Sequence, residues 1–227
     1  MSTQENLKRA RENLLKISEE ILPVPKKTRR VNQNIKIVAI GVSTGGPNAL
    51  RVVLSNLPDD IPCPILVVQH MPPKFTKSLA QDLNKHSLLD VCEAYDGQSI
   101  IPGSVYIAPG GRHMKIETIK RRAIIRITDD APINNCKPSV DHLYKSVASE
   151  FGENSLAVIL TGMGNDGNLG AKLIAKAGGK IIVQNEETCV VFGMPKEPLE
   201  SGTAQAAYPI QDIARQILKR IVKRSAA

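Results

Sequence analysis

Four short runs of consecutive apolar residues restrict what this chain can fold into more than any other feature of its sequence. They occupy residues 37–40, 65–68, 157–160 and 181–183. A strand with one face in water alternates apolar and polar residues, whereas these runs are apolar at every position, so they predict strands buried on both faces. Such strands are typical of parallel sheets that lie between two layers of helices.

Segments with helical periodicity separate most of these predicted strands. Strands are predicted at residues 35–40, 65–69, 156–160 and 180–184, with shorter candidates at 91–95, 104–108, 114–118 and 123–128. Helices are predicted at residues 47–56, 75–86, 139–151, 169–177 and 211–223. The last two short strands alternate like an antiparallel hairpin. The sequence therefore predicts an α/β fold with a doubly wound, mainly parallel sheet between helical layers and a β-hairpin insertion.

The first 34 residues differ in character from the rest. Apolar residues recur there at spacings of three and four between positions 7 and 21, which predicts an amphipathic helix. Pro23, Pro25 and a run of basic side chains follow, and they predict an extended linker. We therefore expect residues 1–34 to form an N-terminal amphipathic helix and basic linker, and residues 35–227 to form one folded domain.

The formal net charge of +8 first suggests an anionic partner, but the excess lies near the two ends of the chain. Between residues 31 and 214 there are 17 basic and 18 acidic residues. Only 3% of the residues are aromatic, so the chain offers few platforms for stacking bases. A domain that binds nucleic acid is therefore not expected.

Cysteine usage and hydropathy bear on the compartment. The four cysteines stand far apart and none belongs to a C-x-x-C pair, so neither a disulfide framework nor a zinc site is predicted. No charged and then apolar leader opens the chain, and no apolar run approaches the ~20 residues that span a bilayer. We expect a cytoplasmic protein that is not inserted in a membrane.

The loop after the first predicted strand carries a candidate nucleophile. Residues 41–46 read GVSTGG and match G-x-S-x-G between a strand and a helix, a setting that presents the Ser43 hydroxyl on a sharp turn. A structural glycine-rich turn and a phosphate-binding loop are the alternatives. The spacing is not that of a dinucleotide-binding loop, and no Walker lysine follows.

Two further loops at the same predicted sheet edge carry a base and an acid. His70 follows the second strand, and Asp166 lies in a glycine-dense loop after the strand at 156–160. His70 could instead be an ordinary loop histidine, and Asp166 could instead cap a helix. Because parallel strands end at one edge, Ser43, His70 and Asp166 are predicted to meet as an acyl-transfer triad, with His113 as the reserve base.

Longer segments carry a resemblance to a known family. The chain resembles the catalytic domain of the chemotaxis protein-glutamate methylesterases through nearly all of residues 36–212. The matching segments are IGVSTGGP (40–47), QHMPPKFT (69–76), YIAPGGRHM (106–114), KPSVDHLYKSVA (137–148), VILTGMGNDG (158–167) and QNEETCVVFGMP (184–195).

This resemblance implies a doubly wound parallel sheet and hydrolysis of glutamyl methyl esters on chemoreceptor signalling helices, with deamidation of receptor glutamines as a second activity. It implies that Ser43 is the nucleophile, His70 the base and then the acid, and Asp166 the orienting carboxylate. Thr44 and Met163 match residues that position the substrate or the oxyanion. It implies no metal and no organic cofactor.

The sequence departs from the family pattern in two respects, and three alternative functions stay open. The family usually begins with a receiver domain, for which residues 1–34 are too short. Cys136 stands where some relatives carry histidine, and because no role follows for it from the spacing, we expect an ordinary buried or surface thiol. The rivals are a phosphate- or nucleotide-binding module that uses residues 41–46, a serine hydrolase of another ester, and an interaction protein that docks a partner through the N-terminal helix.

Overall fold

A computed structural model describes residues 35–221 of the chain. The predicted N-terminal helix and linker, and the last two residues of the helix expected at 211–223, lie outside the described residues. The strands are β1 (Ile37–Val42), β2 (Ile65–Gln69), β3 (Asp90–Glu93), β4 (Ser104–Ile107), β5 (His113–Ile119), β6 (Arg122–Thr128), β7 (Ser155–Ile159), β8 (Lys180–Gln184) and β9 (Ala206–Tyr208). The helices are α1 (Gly46–Ser55), α2 (Phe75–Lys85), α3 (Val140–Phe151), α4 (Asn168–Lys176), α5 (Lys196–Glu200) and α6 (Ile210–Ile221).

Seven of the strands form one sheet in the order β3-β4-β2-β1-β7-β8-β9, and every neighbouring pair in it is parallel. β5 and β6 pair antiparallel as a separate hairpin. The doubly wound fold with a hairpin insertion that the sequence predicts is therefore confirmed. No helix within residues 35–221 is long and apolar enough to cross a bilayer.

The apolar runs of the central strands are buried because both faces of the sheet are covered. Val38 and Ile40 of β1 contact a core that also holds apolar side chains of α1, α2 and α6. Ile37 and Ala39 point the other way, into a second core formed with α3, α4 and the hairpin. Burial of both faces explains why these strands lack the alternation of a half-exposed sheet.

The order of the strands fixes where a ligand can bind. The chain enters the sheet at β1, continues through β2 to the edge strand β3, inserts β4 between β2 and β3, and then crosses to the other side of β1 for β7, β8 and β9. The loop after β1 leads to α1 on one face, whereas the loop after β7 leads to α4 on the other. A ligand site is therefore expected at the carboxyl edge of the sheet, next to β1, where successive connections pass to opposite faces.

Two short elements escaped the sequence prediction. β9 has three half-buried residues at the edge of the sheet, and α5 has five residues with Pro198 among them. Elements this short show no periodicity, and proline disfavours a helix interior. Helix α3 begins at Val140, one residue later than predicted, because Ser139 has an extended backbone and caps the helix.

Candidate active site

Ser43 lies directly after β1, on a turn that the neighbouring loops hold in place. Its N–H donates to the Thr161 carbonyl (3.0 Å), and its own carbonyl accepts hydrogen bonds from Gln69 Nε2 (3.0 Å) and the Gly46 N–H (2.8 Å). Gly45 has φ +83°, a left-handed conformation that glycine adopts without strain. The chain can therefore turn sharply into α1 and leave the Ser43 side chain half-exposed.

The loop after β7 passes directly against this serine. A Cβ atom added to Gly162 would lie 2.8 Å from the Cβ of Ser43 and would collide with the sulfur of Met194. The hydroxyl of Thr161, one residue earlier, donates to the Thr44 carbonyl (2.9 Å). The loops after β1 and β7 are therefore fitted to each other, with no room for a side chain at position 162.

Replacing Gly162 with alanine is expected to displace the turn that carries Ser43. Overpacking of this kind costs about 1–3 kcal/mol of stability, and a displacement near 1 Å at a reacting group costs about 100-fold in rate. Thermal unfolding and ester hydrolysis measure the two effects. Gly97→Ala is the control, because Gly97 has φ +79° but open space around it, so it should lower stability and leave the rate unchanged. A Gly162→Ala protein with a normal rate would contradict the expectation.

His70 follows β2 beside Ser43. The His70 N–H donates to the Val42 carbonyl (3.1 Å). Val42 and Gln69 are paired across β1 and β2, and Ser43 and His70 are the residues that follow them, so they lie next to each other at the end of the two strands. His70 Nε2 lies 2.7 Å from Asp166 Oδ2. Because the ionised carboxylate can only accept, the proton belongs on Nε2, so Nδ1 carries the lone pair that can accept a proton.

Asp166 is 2% exposed, and four donors hold its carboxylate. Oδ2 accepts from His70 and from the Val140 N–H (2.7 Å), while Oδ1 accepts from Ser139 Oγ (2.8 Å) and the Asp141 N–H (3.0 Å). Burial opposes ionisation, but these hydrogen bonds outweigh it and hold the pKa of Asp166 below its ordinary value. The carboxylate therefore remains charged next to His70.

The Asp166 side chain both contacts His70 and caps a helix, so the helix-cap interpretation is compatible with the predicted role as triad acid. The helix that it caps is α3, through the Val140 and Asp141 amides, and not α4, which follows it in sequence. A negative charge at the start of α3 also interacts favourably with the helix dipole. This contact between two distant segments explains why sequence could not separate the two roles.

Asp166 should also make stability depend on pH. Its pKa in the unfolded chain is near 3.8 and its folded pKa is lower, so its ionised form stabilises the fold above about pH 4, and this contribution is lost as pH falls through the folded pKa. We expect the difference in unfolding free energy between the wild type and Asp166→Asn to shrink on acidification. Urea unfolding between about pH 6 and pH 3 measures it.

The exposed Asp60 provides the matched control for loss of one charge. Asp60→Asn should stay close to the wild type across the same pH range. A difference between the wild type and Asp166→Asn that grows as pH falls would contradict the assignment of the stabilising charge to Asp166.

Two hydroxyl residues of the site were missed by sequence reasoning. Ser139, fully buried, joins Asp166 to α3 by donating to the carboxylate and accepting from the His142 N–H (3.3 Å). Thr161, 1% exposed, accepts from the Val190 and Val191 amides and so joins the nucleophile loop to that segment. A serine three residues before a helical amide is a capping signal, and it could have identified Ser139; no sequence signal marks Thr161.

Thr44 and Met163, the two residues predicted to position the substrate or the oxyanion, lie at the surface. Thr44 is exposed and the Met163 side chain is 74% exposed. Within residues 35–221, the backbone N–H groups of Thr44 and Met163 form no hydrogen bond. Both amides are therefore available as donors, that of Thr44 in the loop that carries Ser43 and that of Met163 in the loop after β7. Free backbone amides are the kind of donor that stabilises an oxyanion.

His113, the reserve base, is fully buried. Its Nε2 contacts the Ala131 carbonyl (3.1 Å), its Nδ1 accepts from the Ser139 N–H (3.2 Å), and its ring stacks on His142 at 4.6 Å between centroids. Both nitrogens are therefore engaged with backbone groups. His113 supports the residue that holds Asp166 and does not reach the open edge of the sheet.

Cys136 has a special position that the sequence did not indicate. Its Sγ lies 3.9 Å from Nδ1 of His70, and ligand atoms of His70, Cys136 and Asp166 all lie within 4.8 Å of one another. Burial, followed by the charges of Asp166 and Asp141, raises the pKa of the Cys136 thiol to about 11. The thiol is therefore protonated at neutral pH and is a poor nucleophile.

Comparisons with known proteins agree on one family. Residues 38–217 match the family model described as CheB methylesterase. The chain is 49% identical over 188 residues to a protein-glutamate methylesterase/protein-glutamine glutaminase of Desulfotalea psychrophila, covering 82% of this chain and 52% of that protein. It is 48% identical over 182 residues to a protein of the same name from Archaeoglobus fulgidus, covering 80% and 52%.

A solved structure gives the same result for the fold. The crystal structure of the Thermotoga maritima CheB methylesterase catalytic domain matches with a TM-score of 0.80 and 45% identity, over 82% of this chain and 98% of that one. The chain spans about half the length of the curated relatives that it matches.

Proposed function

The chain belongs to the CheB methylesterase family, and from this premise we propose that it hydrolyses glutamyl methyl esters on the signalling helices of chemoreceptors. The observation that carries the proposal is the 2.7 Å contact between His70 Nε2 and the buried Asp166 carboxylate, at the sheet edge where the turn after β1 presents Ser43. A serine, a base and an orienting acid are the groups that acyl transfer requires.

In the proposed acylation step, Ser43 Oγ attacks the ester carbonyl while His70 Nδ1 accepts the serine proton. Asp166 stabilises the imidazolium that forms, and it remains ionised because its hydrogen bonds lower its pKa. The tetrahedral intermediate then collapses, and His70 donates the proton to the departing methoxide. The products of this step are methanol and a glutamyl ester of Ser43.

In the proposed deacylation step, His70 takes a proton from water, and the resulting hydroxide attacks the glutamyl carbonyl. The ester bond to Ser43 breaks, Ser43 recovers its proton from His70, and a glutamate carboxylate is released. With a glutamine substrate the same groups act and ammonia leaves in place of methanol. The residues thus account for a deamidase activity without further machinery.

Both tetrahedral intermediates carry an oxyanion that needs hydrogen-bond donors. The free amide of Thr44 follows Ser43 in the same loop, and the free amide of Met163 lies in the loop after β7 that packs against Ser43; we assign both amides this role. Each donor of this kind contributes about 100- to 1,000-fold to the rate. The exposed Thr44 and Met163 side chains lie beside these amides and are available to position the substrate.

A phosphate-binding role for residues 41–46 has less support. A phosphate at the start of a helix accepts hydrogen bonds from the first free N–H groups, but α1 has a proline in its first turn, which removes one of these donors. Gly46 N–H is also engaged, since it donates to the Ser43 carbonyl.

The experiment that tests the proposed function is release of methanol from a methylated cytoplasmic fragment of a chemoreceptor. The unmethylated fragment is the negative control, and a small aryl ester tests the alternative that the chain is a hydrolase of another ester. We expect the protein to release many equivalents of methanol from the methylated fragment. Turnover of the small ester without any methanol release would overturn the proposed substrate class but not the serine chemistry.

A further inference from the structure

A half-buried thiol lies beside the histidine that the proposed mechanism uses as its base, and the mechanism gives that thiol no role. Cys136 Sγ is 3.9 Å from His70 Nδ1, whereas Asp166 contacts the other ring nitrogen. The three residues come from the loops after β2, before α3 and after β7. The fold therefore places a sulfur, an imidazole nitrogen and a carboxylate together at the carboxyl edge of the sheet.

The separation of sulfur and nitrogen suits two ligands of one metal ion. Zinc binds imidazole nitrogen at about 2.0–2.1 Å and thiolate sulfur at about 2.3 Å, so a tetrahedral angle places the two ligand atoms about 3.6 Å apart. The observed 3.9 Å is a few tenths longer. Joint coordination of one ion therefore requires the two atoms to approach by only a few tenths of an ångström.

The surroundings of these two atoms also suit a cation. A histidine that binds a metal through one nitrogen usually donates its other N–H to a carboxylate, which fixes the ring and raises its basicity as a ligand. His70 already has this arrangement, with Asp166 on Nε2. The negative charges of Asp166 and Asp141, which act on the Cys136 thiol, also favour a dication beside it.

We propose that His70 Nδ1 and the Cys136 thiolate form a binding site for a thiophilic divalent cation such as Zn²⁺, with water in the remaining coordination positions, and that the bound cation inhibits the esterase. Binding of the cation releases the thiol proton of Cys136 to solvent. A metal on Nδ1 occupies the lone pair that would accept the Ser43 proton. The inhibitory part of the proposal rests on the proposed function, whereas the cation site itself does not.

The first test uses Co²⁺ as a spectroscopic substitute for Zn²⁺ and needs no enzymatic activity. Tag-free protein titrated with CoCl₂ is expected to develop a thiolate-to-cobalt charge-transfer band in the near ultraviolet that saturates at one equivalent. Cys136→Ala should lose this band and bind at least tenfold more weakly. Cys92→Ala is the matched control, since Cys92 is also half-buried but its sulfur contacts Gln98, and it should retain the band.

Absence of the band in the wild-type protein, or its persistence in Cys136→Ala, would overturn the site. Circular dichroism establishes whether each variant is folded. Cys136→Ser, which keeps the size of the side chain, replaces Cys136→Ala if the alanine variant does not fold, and it should also lose the charge-transfer band.

The second test measures the rate of methanol release with and without Zn²⁺, and the ratio of the two rates is compared between variants. We expect Zn²⁺ to inhibit the wild type and Cys92→Ala by more than tenfold, a chelator to reverse the effect, and Cys136→Ala to require at least tenfold more Zn²⁺. A protein that binds Co²⁺ but releases no methanol even without metal would overturn the proposed function and leave the site standing. A protein that releases methanol but is insensitive to Zn²⁺ would overturn the inhibitory role.

Discussion

Replacing Ser43 with alanine is expected to lower methanol release from a methylated receptor fragment by about 10⁴-fold or more, the scale of loss when a triad nucleophile is removed. Oγ is the only non-hydrogen atom that the substitution removes. The hydrogen bonds that hold the turn are made by the backbone of Ser43. The variant should therefore fold like the wild type and bind the fragment with similar affinity. Methanol release under single-turnover conditions measures the effect.

Ser149→Ala provides the control for this comparison. Ser149 is an exposed serine on α3, the helix that Asp166 caps, and its replacement should leave the rate unchanged. If Ser43→Ala retained a rate within tenfold of the wild type, Ser43 would not be the nucleophile, and a direct attack of water on the ester would have to be considered.

Replacing His70 with alanine is expected to cause a loss of similar size, about 10⁴-fold or more, because the serine would lack a base and methanol would lack an acid. The same substitution also removes one of the hydrogen bonds to Asp166, so a modest change in stability should accompany it. The rate of methanol release and the thermal unfolding temperature separate these two effects.

Two other histidines sharpen this test. His86, exposed at the end of α2, is the control, and His86→Ala should have the wild-type rate. His113→Asn should lower stability by about 1–3 kcal/mol, because it removes buried hydrogen bonds, yet it should remain far more active than His70→Ala. The opposite ranking, with His113→Asn inactive and His70→Ala active, would make His113 the base.

The fold could be predicted well from sequence because its strongest signals are local. The apolar runs that contribute to β1, β2, β7 and β8 contain no polar residue, and a sheet covered on both faces accounts for that pattern. The parallel direction of these strands then follows from the helices that connect them. β9 was missed because three half-buried residues form a strand only through pairing with β8, which is a tertiary contact.

The candidate site could be predicted only in part. Ser43, His70 and Asp166 each follow a predicted strand, so the sheet rule was enough to bring them to one edge. The roles of Ser139 and Thr161 depend on contacts between segments that lie far apart in sequence, and no local pattern encodes these contacts. The position of Cys136 beside His70 has the same origin, since 66 residues separate the two.

The structure also gives Asp166 a second task, which explains its deep burial. It orients His70 and at the same time satisfies two backbone amides and the cap residue at the start of α3. The site and the scaffold thus depend on the same carboxylate. Substitutions at this residue should therefore change both stability and rate, whereas substitution of Ser43 should change the rate alone.

The most direct test of the account is to trap the covalent intermediate on Ser43. The chain is mixed rapidly with a methylated receptor fragment, the reaction is stopped with acid during the first turnover, and the proteolytic peptides are analysed by mass spectrometry. We expect Ser43 to carry the receptor peptide as a glutamyl ester. Neither the Ser43→Ala protein nor the unmethylated fragment should give this modified peptide. Methanol release with Ser43 unmodified at every time point, and at an equal rate in Ser43→Ala, would contradict the account.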